Sequence, residues 1–462
     1  MRPLGIILLA AGLGKRMKSN LPKVLHCLGG KPLLLYPLRV ARSLSPERIA
    51  VVIGRGADEV RRACGAEGIT WVLQENQLGT GHAVRCTREI FQDFSGDLLI
   101  LSGDVPLISP ETLERLLSRH REENAALTFL TTHLDEPAGY GRVLRGDRGE
   151  VTGIVEESDA SEREKKIQEI NSGIYAASPL FLFSALEQLS NRNRQGEYYL
   201  TDIVGVGLRS GEKVGAVQVE DAREILGINA REELAAMEKI VQERTNKRWL
   251  AAGVTLKDPR TTYIEEGVVI GQDTVIGPNV HLLGTTAIGE RCLIDGSAYV
   301  MNGRLSDGVH LKFSVVLTDC RLESGVEVGP FAHIRPGTVL KRHVHIGTFV
   351  EVKNSVIGEG TKANHLSYVG DAVVGKETNI GAGTITCNYD GLEKHRTRIG
   401  DRVQVGSDSQ LVAPVVVGDD AYIGAGSTIT KDVPPGSLAL SRVPQKHVSG
   451  WVKRFREKHG KK

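Results

Sequence analysis

The first residues that suggest chemistry lie in a loop that follows a short apolar run. Residues 6–9 read Ile-Ile-Leu-Leu, a pattern typical of a buried parallel strand. The loop that follows carries two glycines and several cations: Gly12, Gly14, Lys15, Arg16, Lys18 and Lys23. Small residues let backbone N–H groups approach an anion closely. The loop therefore indicates a phosphate site, although an ordinary surface loop with solvated cations would explain the same residues.

Two common phosphate-binding motifs do not fit this loop. A P-loop requires Ser or Thr directly after its Gly-Lys pair, and Arg16 stands there. The dinucleotide-binding fingerprint requires a third Gly or Ala three residues after Gly14, where the sequence has Met17. Other parts of the chain must therefore decide between the two interpretations.

Two further segments carry groups that suit a nucleotide. Gln74 supplies an amide that can read the edge of a base, and Gly79-Thr80 forms a turn that allows close backbone approach. Asp104 follows an apolar run, where a carboxylate can hold Mg²⁺ that bridges phosphates. Structural alternatives stay open, because Gln74 also suits a surface amide and a single Asp more often caps a turn or helix.

The scaffold of these residues is predicted from the first half of the sequence. Apolar runs at residues 49–54 and 97–104 alternate with helical stretches such as residues 111–124. This alternation predicts a Rossmann-like α/β domain with a mostly parallel sheet over residues 1–229. Ligands of such sheets bind beyond the carboxyl ends of the strands, where the cationic loop and Asp104 both fall.

The remainder of the chain has a different pattern. Residues 230–252 are charged, with Leu234, Met237 and Val241 at helical spacing, and predict a connecting helix. Residues 253–462 have a period of six, clearest at Ile399, Val405, Leu411, Val417, Ile423 and Ile429. This period predicts a left-handed parallel β-helix of hexapeptide repeats, with 18 residues in each three-sided coil.

Three segments of the second half depart from the repeat. Residues 301–327 and 387–396 interrupt it, and we expect both to be loops that leave the coil. Residues 453–462 contain six Lys or Arg and are expected to form a frayed, solvated end.

Length and composition indicate a globular protein of more than one domain and argue against a nucleic-acid-binding or membrane protein. A chain of 462 residues is too long for a single core, and 40% hydrophobic with 25% charged residues is typical of globular domains. A net charge of +2 gives no overall field for nucleic acid or a membrane. The six cysteines show no Cys-x-x-Cys pair and no metal-ligand spacing. We therefore expect a cytoplasmic protein with reduced thiols and with neither nucleic acid nor membrane as a partner.

Several motifs together resemble one enzyme family. In the first half these are LAAGLGKRMKSNLPKVLH (9–26), LQENQLGTGHA (73–83), GYGRV (139–143), IVEE (154–157), EINSGIY (169–175) and GEYYLTDI (196–203). They resemble the sugar-1-phosphate nucleotidyltransferases, and within them the uridylyltransferase half of the bifunctional bacterial enzymes that make UDP-N-acetylglucosamine. The hexapeptide half resembles the same enzymes, so the resemblance covers nearly the whole chain.

For the first half, the resemblance implies transfer of UMP from UTP to N-acetylglucosamine 1-phosphate, with release of pyrophosphate. The attacking phosphate has a second pKa of about 6 and is already largely dianionic, so no general base is needed. The implied binding residues are Leu9, Ala10, Ala11, Gly12, Arg16, Lys23, Gln74, Gly79, Thr80, Ser102, Gly103, Asp104, Gly141, Glu156, Asn171 and Asn229.

Within this set the resemblance implies distinct roles. Arg16 and Lys23 would offset triphosphate charge, while Asp104 and Asn229 would bind Mg²⁺. The base would be read by Gln74 and Gly79-Thr80, and the sugar held by Gly141, Glu156 and Asn171. Two positions depart from the family pattern, because Lys15 stands where Thr is expected and Ser102 where an aromatic residue is common.

For the second half, the resemblance implies acetyl transfer from acetyl-CoA to the amino group of glucosamine 1-phosphate. His365 would be the general base, although a lone histidine is more often structural. A thioester is already activated, so Cys387 need not act as a nucleophile. The implied sugar-phosphate and acetyl-CoA contacts are Arg335, Lys353, Tyr368, Asn379, Ala382, Asn388, Tyr389, Ser407, Ala425 and Arg442.

The resemblance also implies a homotrimer that supplies UDP-N-acetylglucosamine for peptidoglycan and lipopolysaccharide precursors. Two alternatives stay open at this stage. One is a nucleotidyltransferase for another sugar or base with the β-helix as an assembly scaffold, and against it stands His365 together with Asn388 and Tyr389. The other is a regulatory or assembly subunit, which would have no need to keep Arg16, Lys23 and Asp104.

Overall fold

The computed structural model describes residues 2–460, which form two compact units that divide between Val241 and Gln242. The segment predicted as a connecting helix is helical over Arg231–Ala251. The proposed division into residues 1–229, 230–252 and 253–462 stays a prediction. Within the described part of the chain, no helix is both long and apolar enough to cross a lipid bilayer.

The first unit is built on one mixed sheet. Its strands in chain order are β1 (Leu4–Ala10), β2 (Arg48–Ile53), β3 (Thr70–Leu73), β4 (Asp97–Ser102), β5 (Leu127–His133), β6 (Arg142–Arg145), β7 (Val151–Val155), β8 (Glu169–Ala177) and β9 (Val214–Gln218). Their order across the sheet is β9-β5-β8-β4-β1-β2-β3, and β6 and β7 form a hairpin that joins β8. Only β8 runs antiparallel to its neighbours β4 and β5 along this path, so the predicted mostly parallel α/β sheet is confirmed.

Helices cover both faces of this sheet because its central strands are apolar on both sides. Ile6 and Leu8 of β1 pack in one buried cluster and Ile7 in the other. The helices of the chain are α1 (Leu35–Ser43), α2 (Ala57–Cys64), α3 (Thr80–Arg85), α4 (Arg88–Phe91), α5 (Pro110–Glu122), α6 (Pro179–Glu187), α7 (Asp202–Arg209), α8 (Arg231–Ala251) and α9 (Trp451–Lys458). Helix α5 begins where sequence rules expect it, because the Ser109 side chain accepts the Thr112 N–H and Pro110 occupies the first turn.

Short elements complete the described secondary structure of this unit and its surroundings. Strands Cys27–Leu28 and Lys31–Pro32 form a separate two-stranded hairpin. Single turns of 3₁₀ helix lie at Lys15–Met17, Lys23–Leu25, Glu164–Lys166, Ala222–Ile225 and Pro259–Thr261. The turn Lys15–Met17 lies within the cationic loop, and the turn Lys23–Leu25 ends it.

The second unit is a three-sided parallel β-helix. Its first face consists of Thr255–Leu256, Val275–Ile276, Leu293–Ile294, His310–Leu311, Glu327–Val328, His345–Thr348, Lys362–His365, Asn379–Ile380, Gln404–Val405, Tyr422–Ile423 and Leu438–Ala439. Its second face consists of Thr262–Ile264, Val280–Leu283, Tyr299–Met301, Val316–Thr318, His333–Ile334, Glu351–Lys353, Tyr368–Gly370, Ile385–Cys387, Gln410–Val412 and Thr428–Ile429. Its third face consists of Val269–Ile270, Ala287–Ile288, Arg304–Leu305, Arg321–Leu322, Val339–Leu340, Val356–Ile357, Ala372–Val374, Thr397–Ile399 and Val415–Val417.

The repeat residues fill the interior of this β-helix, as the period of six predicts. The six residues from Ile399 to Ile429 that stand six apart are all buried in one continuous core. Val275 pairs with Leu293 of the next coil, 18 residues later, which gives the predicted coil length. The predicted left-handed hexapeptide β-helix is therefore confirmed.

The prediction that residues 301–327 leave the coil is wrong. This segment supplies strands to all three faces without a break. The apparent interruption arises because some corners between the second and third faces are one residue shorter, so that buried Leu317 and Leu322 stand five apart. Asn302 and Asp319 occupy such corners with φ of 54° and 43°, a left-handed conformation that Asn and Asp tolerate.

Two other predictions about the second unit have different outcomes. Residues 388–396 do lie outside the coil, between strands that end at Cys387 and begin at Thr397. The expected frayed end is wrong for most of its length, because Trp451–Lys458 form a helix, although every residue of that helix is exposed. Lys461 and Lys462 of the predicted tail lie outside the described residues.

Candidate active sites

A cleft of about 510 Å³ lies at the carboxyl ends of β1, β3 and β4 in the first unit. Its lining includes most of the residues predicted to bind nucleotide: Leu9, Ala10, Ala11, Gly12, Arg16, Lys23, Gln74, Gly79, Thr80, Ser102, Asp104 and Asn229. Lys15, the departure from the family pattern, lines it as well. Gly103 lies below the surface of the cleft, where its N–H donates to the Leu9 carbonyl at 2.9 Å.

The cationic loop folds back on itself and thereby exposes its backbone to the cleft. Gly14 has φ +59°, and a side chain there would place its Cβ 2.7 Å from the Cβ of Lys23. A glycine is therefore required for the loop to pack on Lys23. A Cβ at Gly12 would meet nothing within 4 Å, so this part of the loop is open to an approaching ligand.

Lys23 joins the two residues predicted to bind a metal. Its ammonium is ion-paired with the Asp104 carboxylate and donates to Asn229 Oδ1 at 3.1 Å. The Ile228 N–H donates to the Asp104 carbonyl at 2.9 Å, which fixes Asn229 beside the end of β4. Two hard oxygens from distant parts of the chain thus converge on one cation position.

This donor set fits Mg²⁺, which usually takes one or two protein oxygens and completes its shell with water and phosphate. Among residues 2–460, no group of three or more His, Cys, Asp or Glu is placed to hold a metal ion. Asp104 and Asn229 would therefore hold the ion only together with the substrate phosphates.

Gln74 and Thr80, which are predicted to bind the base, lie in one hydrogen-bonded turn. The Gln74 amide nitrogen donates to the Gly79 carbonyl at 3.1 Å and lies 3.0 Å from His82 Nδ1. Burial, together with nearby Arg85, lowers the pKa of His82 and favours the neutral ring that can accept this bond. Thr80 Oγ1 accepts the Leu200 N–H at 3.0 Å.

The turn at Gly79 packs against the motif at residues 196–203. Gly79 has φ +109°, and a Cβ there would lie 2.6 Å from the Tyr198 carbonyl oxygen. The Gly81 N–H donates to that carbonyl at 2.8 Å. The two motifs are therefore packed together, and a glycine is required at position 79.

The three residues predicted to hold the sugar lie together but do not line the cleft described above. The Asn171 N–H donates to the Gly141 carbonyl at 2.9 Å, and a Cβ at Gly141 would lie 3.5 Å from Glu156 Oε2. Asn171 Nδ2 donates to the Tyr175 hydroxyl at 2.7 Å. Its Oδ1 is buried without a donor, so it is free to accept an N–H group from a ligand.

The surroundings of Glu156 raise the pKa of its carboxyl group. Burial is the main cause that raises the pKa of its carboxyl, and the nearby carboxylates of Asp202, Asp159 and Glu197 raise it further. The Thr201 hydroxyl donates to Glu156 Oε1 at 2.8 Å and opposes the shift. A group whose charged form is disfavoured in the folded state costs stability at neutral pH.

We therefore expect Glu156→Gln to raise the free energy of unfolding at pH 7 by about 0.5–2 kcal/mol. We also expect it to raise KM for the sugar phosphate. Because the folded-state pKa is raised, the stability gain is full above that pKa. It disappears as the pH falls through the folded pKa towards the ordinary carboxyl range. Thermal unfolding from pH 4 to pH 8, with KM for the sugar phosphate, checks both effects. An equal gain at every pH, or an unchanged KM, would contradict this prediction.

Some residues of the cleft have no counterpart in the sequence-based prediction. They are Leu13, Val24, Gln77, Ala83, Gln195 and Glu197. Gln77 supports the turn that is predicted to bind the base, since its Nε2 donates to the Gln74 carbonyl at 2.9 Å. Glu197 stands inside the motif at residues 196–203, but only the packing of that motif on Gly79 reveals that it reaches the cleft.

In the second unit, His365 and three predicted acetyl-CoA contacts form one row. By the register of the first-face strands, His365 at the end of its strand aligns with Ala382, Ser407 and Ala425 on the next three coils. The Asp408 N–H donates to the Ala382 carbonyl at 2.7 Å, and the Gly426 N–H donates to the Ser407 carbonyl at 2.8 Å. Arg442 extends the row, because its guanidinium donates to the Ala425 carbonyl at 2.6 Å.

The predicted phosphate-binding cations lie on the second face, beside residues 388–396, which leave the coil and are called the ejected loop from here on. Arg335 NH1 donates to Glu351 Oε1 at 2.7 Å, and Lys353 Nζ donates to Asp371 Oδ2 at 3.3 Å. The neighbouring ammonium of Lys353 lowers the pKa of Lys394, a loop residue that the sequence analysis did not single out. The three cations therefore form one cluster.

Asn388 and Tyr389 of the ejected loop make different contacts. Asn388 Nδ2 contacts the Asp371 carboxylate and lies 3.4 Å from the Tyr368 hydroxyl. The Tyr389 hydroxyl donates to the Gly391 carbonyl at 2.6 Å, and its ring is exposed. Asn379 lies on the first face, where it pairs with Lys362 and Gln404, so one chain does not bring it to Tyr368 on the second face.

Comparison with known proteins assigns both units. Residues 6–193 match the MobA-like NTP transferase domain, and residues 396–431 match the bacterial transferase hexapeptide of six repeats. A protein from Pelobacter propionicus named bifunctional protein GlmU is 50% identical over 459 residues, which are 99% of this chain and 100% of the relative. The chain belongs to the GlmU family.

Two more relatives of the same name support this assignment. The protein from Geobacter sulfurreducens is 46% identical over 99% of this chain and 100% of its own length, and that from Clostridium beijerinckii is 46% identical over 96% and 97%. The resemblance to bifunctional sugar-nucleotide enzymes is therefore confirmed, and the chain is a bifunctional transferase.

Proposed function

We propose that the cleft of the first unit binds UTP with Mg²⁺ and transfers UMP to N-acetylglucosamine 1-phosphate. The observation that carries this proposal is the convergence of Lys23, Asp104 and Asn229 at the floor of a glycine-lined cleft. When bound, Mg²⁺ would offset the negative charge of the triphosphate.

The residues of the chain then perform binding and alignment rather than proton transfer. Lys23 and Arg16 offset charge on the phosphates, and the open backbone around Gly12 admits them to the cleft. The turn at Gly79 orients the base. Asn171 accepts an N–H from the sugar, which suits an acetamido group, since the buried Oδ1 has no other donor.

We propose that the second unit transfers the acetyl group of acetyl-CoA to the amino group of glucosamine 1-phosphate. The cluster of Arg335, Lys353 and Lys394 suits the phosphate of this substrate. The row of Ala382, Ser407 and Ala425 suits acetyl-CoA, because small residues leave room along the corner. His365 stands in the same row and accepts the proton that the ammonium of the substrate must lose before its nitrogen attacks the thioester. The C–N bond forms as the C–S bond breaks, and the second proton that the nitrogen loses passes to the departing sulfur, so that CoA leaves as the thiol.

We propose a homotrimer in which the first face of one copy completes the second-face site of another. The separation of Asn379 from Tyr368 within one chain supports this assembly. Exposed Phe313, Phe331 and Phe349 form an apolar stripe, with ring centroids 6.0 and 5.5 Å apart. Exposed apolar stripes of this kind are typical of interfaces between proteins.

The two reactions in sequence would supply UDP-N-acetylglucosamine, a precursor of peptidoglycan and lipopolysaccharide. We place them in the cytoplasm, and the six free cysteines of the described chain support a reducing compartment.

Two half-reactions test the proposal separately. With N-acetylglucosamine 1-phosphate and UTP, we expect pyrophosphate to appear only when Mg²⁺ is present. With glucosamine 1-phosphate and acetyl-CoA, we expect free CoA thiol with or without the metal. Pyrophosphate release that persisted in excess chelator would contradict the role of Asp104 and Asn229, and absence of the thiol would leave the β-helix as a scaffold.

A further inference from the structure

The corners between the second and third faces carry a ladder of Asn and Asp side chains. Asn302, Asp319, Asn354 and Asp371 all have φ between 43° and 54°. Asn302 Nδ2 donates to Asp319 Oδ1 at 2.9 Å, and Asn354 Nδ2 donates to Asp371 Oδ1 at 2.6 Å. The two pairs therefore make the same contact between successive coils, at different heights of the β-helix.

Asp371 differs from Asp319 in what its second carboxylate oxygen contacts. Its Oδ2 accepts bonds from Asn388 Nδ2 and, at 3.3 Å, from Lys353 Nζ. The side chain is nearly buried, with the residue only 7% exposed. Burial alone would raise the pKa of Asp371, but the hydrogen bonds from Asn354, Asn388 and Lys353 outweigh it and lower the pKa.

We propose that Asp371 is a positioning residue for the acetyl-acceptor site, a role that rests on the proposed acetyltransferase function. One carboxylate oxygen holds both Lys353, a phosphate-binding cation, and Asn388, the first residue of the ejected loop. The loop returns with Lys394 beside Lys353. Asp371 therefore fixes the distance between the two ammonium groups that the sugar phosphate must bridge.

The charge of Asp371 is needed for this task as well as its shape. Arg335, Lys353 and Lys394 repel one another when no phosphate is bound, and the carboxylate offsets part of that repulsion. An amide at this position has a single acceptor oxygen and cannot serve donors on both sides. Asn adopts the left-handed backbone conformation readily, so Asp371→Asn leaves the corner intact. The variant loses either its hydrogen bond with Asn354 or its contacts with Lys353 and Asn388.

The test compares Asp371→Asn with Asp319→Asn in the full chain. Asp319→Asn makes the same chemical change at the same kind of corner, away from the site, and keeps an oxygen for Asn302. We expect Asp371→Asn to raise KM for glucosamine 1-phosphate about tenfold or more, because small displacements of binding groups are costly. KM for acetyl-CoA and pyrophosphate release by the first unit should stay as in the wild type for both variants.

The outcomes separate this inference from the function on which it rests. An unchanged KM for glucosamine 1-phosphate in Asp371→Asn, with an active wild type, would overturn the positioning role alone. An equal rise in both variants would also overturn it, because it would reveal a general effect of the ladder. A wild type that released no CoA from acetyl-CoA would overturn both the acetyltransferase function and the role of Asp371.

Discussion

Replacing His365 with alanine is expected to lower the rate of acetyl transfer by about 10²–10⁴-fold, the usual contribution of a general base. His365 aligns with Ala382, Ser407 and Ala425 on successive coils, and we propose that its ring meets the thioester end of acetyl-CoA there. The amino group of the substrate cannot attack while it holds its extra proton. The measurement is release of CoA thiol from acetyl-CoA with glucosamine 1-phosphate at saturating concentrations of both.

Two controls make this prediction specific. His343→Ala removes another exposed histidine of the β-helix, and we expect it to leave the rate unchanged. Pyrophosphate release by the first unit should be the same in His365→Ala and the wild type, since the two reactions use separate units. Acetyl transfer that survived the loss of His365 within threefold would exclude it as the general base.

Replacing Asp104 with alanine is expected to lower uridylyl transfer by about 10²–10³-fold, the range found when a preorganised electrostatic contact is removed. The carboxylate pairs with Lys23, whose ammonium also donates to Asn229. Its loss would remove a ligand of Mg²⁺ and leave the Lys23 ammonium without its counter-ion. We also expect the Mg²⁺ concentration for half-maximal activity to rise.

Asp147→Ala serves as the matched control for Asp104, because Asp147 is exposed in the turn between β6 and β7. Its rate and metal dependence should equal those of the wild type. Acetyl transfer should be normal in both variants. If Asp104→Ala kept the wild-type dependence on Mg²⁺, the assignment of Asp104 as a metal ligand would be wrong.

Much of the fold was predictable because each unit repeats a simple local rule. The period of six fixed the β-helix, since the residues from Ile399 to Ile429 must alternate with polar corners to fill a narrow interior. The same rule failed at residues 301–327, where a corner with Asp319 in the left-handed conformation uses one residue fewer. A period alone does not reveal how many residues a corner needs.

The candidate sites were predictable where a motif occupies a strand end, and less so where the contact depends on packing. The loop around Gly12 and Asp104 follows from the position of two parallel strands. Lys394 and Asp371 did not stand out, because their importance depends on where the ejected loop returns to the coil. It is the fold that brings Asn388 and Lys353 to one carboxylate oxygen of Asp371.

The most direct test of two sequential activities in one chain is a single reaction with glucosamine 1-phosphate, acetyl-CoA, UTP and Mg²⁺. Free CoA thiol and pyrophosphate are followed separately over time. We predict that both appear and that pyrophosphate lags behind the thiol, because the acetylated sugar phosphate must accumulate before the first unit can use it. Pyrophosphate without thiol, or pyrophosphate that precedes it, would contradict the proposed order of the two reactions.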